Sequence, residues 1–215
     1  MHVAVAVGAP KGYLDYLAID GARFCVEMAL RSFGGPPAGV WVFQRKPVRI
    51  PVPGPEEMAR WVDEWFARDD PVDAMRGEGR GNAAERLVKK NRAFGPGGFT
   101  LAPTLEAIIE ATGDLAGHTL AVVVLTSAPD DDAAVIATLK RAARYPVFWV
   151  FVGANDDIGR VLHLGALDTL GERPDDPENI LVLKTHWWRS EFGGWWRTRQ
   201  IKKASGRWRR RVPLG

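Results

Sequence analysis

Apolar residues in this chain fall into two kinds of block. Short apolar runs, His2 to Val7, Val40 to Phe43, Leu120 to Leu125, Val147 to Val152 and Asn179 to Leu183, read as strands, and Leu120 to Leu125, apolar throughout, suits one covered on both faces, as in a parallel sheet. Between them lie amphipathic stretches. Residues Tyr16 to Phe33 place Leu17, Phe24, Val26, Met28, Leu30 and Phe33 among Asp20, Arg23, Glu27 and Arg31, which predicts a helix. The clearest unit spans residues 119 to 153: an apolar run, then Asp130, Asp131 and Asp132 at a helix start, then an apolar stripe ended by Tyr145-Pro146, then a second apolar run. Two parallel strands joined by a crossover helix predict a doubly wound α/β domain with a mostly parallel central sheet and helices on both faces. Ligands of such folds bind beyond the carboxyl ends of the strands, which here means Thr126-Ser127-Ala128 and Gly153-Ala154-Asn155.

The remaining elements are shorter. Val48 to Val52 can pair antiparallel with Val40 to Phe43 at the sheet edge, where proline is tolerated. After Pro53-Gly54-Pro55 a helix carries Trp61 and Trp65 on one face, a spacing that reads as core packing. Residues 69 to 98, rich in glycine and charge around a short helix from Ala83 to Arg92, read as a mobile surface loop. Helices are expected over Thr104 to Thr112, over Ile158 to Leu164 and from 186 onward.

With 215 residues, 46% hydrophobic and 26% charged, the chain is long enough for one domain, residues 1 to 200, followed by a basic C-terminal arm, 201 to 215. The net charge of +3 is unevenly placed, since residues 186 to 215 hold nine Arg or Lys against the single acid Glu191. One cysteine, Cys25, cannot form an internal disulfide and reads as a buried apolar residue on a helix. No signal peptide or membrane span is indicated, and a cytoplasmic location is expected.

Four short motifs occur in order between the right elements. Gly97-Gly98-Phe99-Thr100-Leu101-Ala102-Pro103-Thr104-Leu105 resembles the second loop of a von Willebrand factor A domain, and Leu125-Thr126-Ser127-Ala128-Pro129-Asp130-Asp131 resembles its third. Tyr145 to Gly153, with Leu167-Asp168, Gly171 and Arg173 further on, is similar to the tellurite-resistance type of this domain, as is Glu191-Phe192-Gly193-Gly194-Trp195-Trp196. The resemblance covers roughly residues 1 to 200 and implies the α/β fold and a place in a bacterial multi-protein stress or conflict system.

It also implies a divalent cation at the sheet edge, held by an aspartate and two serines of a first loop, the threonine of the second and the aspartate of the third. Here the first loop, Gly8-Ala9-Pro10-Lys11-Gly12, has no side-chain oxygen, and Ser127 stands where the third-loop aspartate belongs. Of that set only Thr100 remains. Neutral hydroxyls do not offset the dehydration of Mg²⁺, so the metal site is expected to be lost unless Asp130 or Asp15 reaches in, and no cofactor is expected. Lys11 is either a solvent-exposed loop residue or a cation in place of the metal, facing Thr100, Ser127 or Asp130. The three aspartates at 130 to 132 read as a solvated helix start.

Nothing points to catalysis. Cys25 lies on an expected helix, and His2, His118, His163 and His186 accompany no nucleophile elbow. No glycine-rich phosphate loop follows the first strand.

At the C-terminus Trp187, Trp188, Trp195, Trp196 and Trp208 are interleaved with Arg189, Arg197, Arg199, Lys202, Lys203, Arg207, Arg209, Arg210 and Arg211. Such a mixture can neutralise phosphates and stack bases, or seat a protein partner. At least half of the tryptophans up to 196 are expected to pack the last helix on the sheet. The final GRWRRRVPLG is expected to be a flexible arm that orders on a partner. The reading is a non-enzymatic, metal-independent protein-protein interaction module whose partner surface includes Lys11, Thr100, Ser127, Asp130 and Asn155; the alternatives are a Mg²⁺-dependent adhesion module and nucleic-acid binding through the arm.

Overall fold

The structure, a computed structural model, describes residues 1–8, 26–33, 37–52, 54–66, 99–125, 128–153, 166–167, 177–184 and 191–212. In chain order the elements are β1 (His2–Gly8), α1 (26–32), β2 (Pro37–Phe43), β3 (Pro47–Ile50), α2 (Met58–Phe66, after a 3-10 turn at Pro55–Glu57), α3 (Ala102–Thr112), β4 (Thr119–Leu125), α4 (Asp132–Ala142), β5 (Val147–Gly153), β6 (Ile180–Lys184) and α5 (Glu191–Arg211). Expected helices at 83 to 92 and 158 to 164, together with Lys11, Asp15, Cys25, Ser127, Asn155, His163, Asp168, His186, Trp187 and Trp188, lie outside the described residues.

The six strands form one sheet in the order β3-β2-β1-β4-β5-β6. All neighbours are parallel except β2 and β3, which pair antiparallel through Val40 with Ile50 and Val42 with Val48. The mostly parallel sheet with one antiparallel edge strand thus matches the expectation from the apolar runs. Pro47 begins the edge strand, where a missing N–H costs no ladder bond.

Side chains of successive residues point to opposite faces, and each face has its own core. Val3, Val5, Val7, Val122, Val124, Val150 and Val152 pack with Val26 and Met28 of α1, Trp61, Val62 and Phe66 of α2, and Ile201 and Trp208 of α5. Ala4, Ala6, Ala121, Val123, Trp149 and Phe151 pack with Leu105, Ile108 and Ile109 of α3 and Val135 and Leu139 of α4. Alanines on that second face of β1 leave volume for the large rings of Trp41, Phe43, Phe99 and Trp149. Trp61 and Trp65 do share a face, with ring centroids 6.3 Å apart, and Trp61 Nε1 donates to Pro51 O at 2.8 Å.

Beyond residue 200 the chain departs from expectation. The arm expected from 201 continues as helix to Arg211, with Ile201, Ser205 and Trp208 buried on one stripe. The ring of Trp208, only 6% exposed, lies 5.1 Å from His118 and 5.6 Å from Phe148. A further tie holds the helix end, because His118 Nε2 donates to Val212 O at 2.7 Å. The segment is as polar as its composition says, but it needs no core of its own when one apolar stripe can close the sheet's open face.

Candidate functional site

Strands β1, β4 and β5 end together, with Val7 paired to Val124 and Leu125 to Gly153, and the segments described beside this carboxyl edge are 99–101 and 128–131. The first support of the edge is a ring. Phe99 is fully buried, sits 5.1 Å from Phe43 by ring centroid, and is approached by the backbone of Gly8 so closely that a Cβ there would stand 2.5 Å from Phe99 Cζ. Only glycine admits that approach.

Thr100 follows. Its N–H donates to Gln44 O and its hydroxyl to Arg45 O, both at 2.8 Å, so the segment is fastened to the turn between β2 and β3. The hydroxyl counted as the remaining member of the cation set therefore has a structural partner.

The aspartates at 130 to 132, expected as a solvated helix start, are instead three cross-braces. Asp130 and Phe99 exchange two hydrogen bonds: Phe99 N–H donates to Asp130 Oδ2 at 2.5 Å, and Asp130 N–H donates to Phe99 O at 2.7 Å. Asp131 takes the N–H groups of Leu101 and Ala102 on Oδ1 and Oδ2, both at 2.9 Å. Asp132 Oδ2 accepts from Ala166 N–H at 2.9 Å, while its Oδ1 is buried without a partner. Asp131 occupies the N-cap position of α4 yet makes no cap bond to α4; it caps α3, whose own N-cap residue, Leu101, has nothing to offer. A helix beginning Leu101-Ala102-Pro103 lacks any side-chain acceptor for its first N–H groups, and that deficit was the available signal.

A hard divalent cation wants several oxygens, carboxylates among them. The described residues do not fit that demand: Asp130 Oδ2 and both Asp131 oxygens bind backbone N–H groups, and no group of three or more His, Cys, Asp or Glu among the described residues is arranged to hold a metal ion. Of the partner-surface residues, Thr100 and Asp130 are therefore brought together across the segment Phe99–Leu101, whereas Lys11, Ser127 and Asn155 fall outside what is described.

The second candidate surface is α5. Arg199, Lys202, Lys203, Arg207, Arg209, Arg210 and Arg211 are exposed, so the outer face is cationic, while Trp208, grouped with them by sequence, points into the core. Arg211 pairs with Glu178 at 2.7 Å, and Lys202 Nζ lies 5.8 Å over the Phe33 ring. Arg197 is half-buried, donates to Gln200 Oε1 at 3.1 Å and lies 4.8 Å over Trp196; burial lowers its guanidinium below the ordinary value.

Compared with protein-family models and with curated proteins, the sequence finds no match. Among solved structures it is similar to the manganese-loaded TRAP protein of Plasmodium vivax, with a TM-score of 0.51 and 12% identity over 95% of this chain and 72% of that one. The fold is von Willebrand factor A-like. At that identity the likeness concerns the path of the chain. No helix among the described residues is long and apolar enough to cross a membrane.

Proposed function

We propose that the chain is a non-enzymatic interaction module whose carboxyl sheet edge recognises a protein partner without a metal ion. The observation that carries this reading is the use of the edge carboxylates: Asp130 and Asp131 fasten the loop at Phe99–Ala102 instead of standing open to a cation. With a first loop free of side-chain oxygens and Ser127 in the third, the residues proposed as partner contacts, Lys11, Thr100, Ser127, Asp130 and Asn155, make a mixed polar set rather than a ligand shell. The setting is a cytoplasmic multi-protein assembly of a bacterial stress or conflict system, as the tellurite-resistance resemblance implies. The fold neighbour was solved loaded with manganese, and the Mg²⁺-dependent adhesion reading is the rival.

One titration separates them. Calorimetry of the full chain with Mn²⁺ and Mg²⁺ is expected to give no saturable heat, and affinity purification from native cells in EDTA is expected to retain the partner. Saturable Mn²⁺ binding that Asp130→Ala abolishes, or a partner released by EDTA, would overturn metal independence.

A further inference from the structure

We infer that the outer face of α5 is a binding surface for a single-stranded nucleic acid. Trp196, Arg199, Lys203, Arg207 and Arg210 recur at spacings of three and four residues, which puts them in one line along the helix, opposite the buried stripe of Ile201, Ser205 and Trp208. From Arg199 to Arg210 the line runs about 16 Å, at roughly 1.5 Å per residue. Past Glu191 the helix contains no acid, and the ion pair of Arg211 with Glu178 lies at the flank of this line. Basic residues in the last turn also complement the helix dipole, but that accounts for Arg209 to Arg211 and not for Arg199 or Lys203 in mid-helix.

The geometry selects among polyanions. A membrane-surface helix must bury its apolar stripe in lipid, and the apolar stripe of α5 is already seated on the sheet. A protein partner is held by aromatic and Arg anchors clustered at the centre of the contact, whereas Trp196, at 48% the one exposed large hydrophobic side chain among the described residues, stands at the end of the row. One exposed indole at the end of a row of cations suits a strand whose phosphates lie along the row and whose unpaired base stacks on the ring. Trp208 and the His118 bond to Val212 O anchor the C-terminal half of the helix, so its backbone needs no ordering on binding.

The test is fluorescence anisotropy of the full chain with a labelled oligothymidylate of 20 nucleotides, a 20-base-pair duplex and phosphatidylserine vesicles, with circular dichroism on every variant. The oligothymidylate is expected to bind with a log–log salt slope of about −3, from four phosphate contacts at roughly −0.7 each. Lys203→Glu/Arg207→Glu/Arg210→Glu is expected to weaken it at least tenfold while remaining folded, and Lys140→Glu/Arg144→Glu, on and just after α4, to leave it unchanged. Trp196→Ala is expected to lose several-fold on the single strand and nothing on the duplex. The inference is overturned if a folded triple variant binds as the parent does, if duplex or vesicles bind more tightly than the single strand, or if polyglutamate competes as well as oligothymidylate.

Discussion

Asp131 caps a helix to which it does not belong: its two carboxylate oxygens accept the N–H groups of Leu101 and Ala102, at the start of α3, each at 2.9 Å. Charge-assisted bonds at a helix start are stronger than neutral ones, and here both go to groups that have no local acceptor. We expect Asp131→Ala to cost about 1–3 kcal/mol in urea denaturation, with Asp131→Asn recovering part of it. An Asp131→Ala variant as stable as the parent would show that the N–H groups of Leu101 and Ala102 find water equally good.

The Gly8 contact makes a second prediction. A Cβ on Gly8 would meet Phe99 Cζ at 2.5 Å and Val124 O at 3.3 Å, and the latter is strand backbone that cannot step aside. Gly8→Ala should therefore lower stability by about 1–3 kcal/mol. Adding Phe99→Leu should cost less in the Gly8→Ala background than in the parent, as a double-mutant cycle would register.

Two substitutions in α5 should act in opposite directions. Gly206 lies within the helix, and a Cβ there would meet nothing within 4 Å, so Gly206→Ala should stabilise by about 0.5–1 kcal/mol. Trp208 is packed between His118 and Phe148, so Trp208→Ala should cost about 3–5 kcal/mol. Truncation after Gln200 removes Ile201 and Trp208 from the core and should unfold or strongly destabilise the domain, which makes charge reversal, not deletion, the way to probe the basic face. Thermal denaturation of the three variants checks the order.

Hydrophobic patterning determined the sheet. Unbroken apolar runs become β1, β2, β4 and β5 inside the sheet and β6 at one edge, and the other edge position, that of β3, agrees with its proline, because a strand buried on both faces must be apolar throughout and an edge strand need not be. Tertiary structure alone decided what the polar groups do. Asp130, Asp131 and Asp132 read as a solvated helix start because their neighbours in sequence give them no partner; their donors lie some thirty residues away, and Asp132's lies on the far side of β5 in the chain. The C-terminal segment shows the same division. Its charge is plain in the residues, but whether Trp208 faced a ligand or the core depended on an open stripe of sheet beside His118 and Phe148, which no local pattern records.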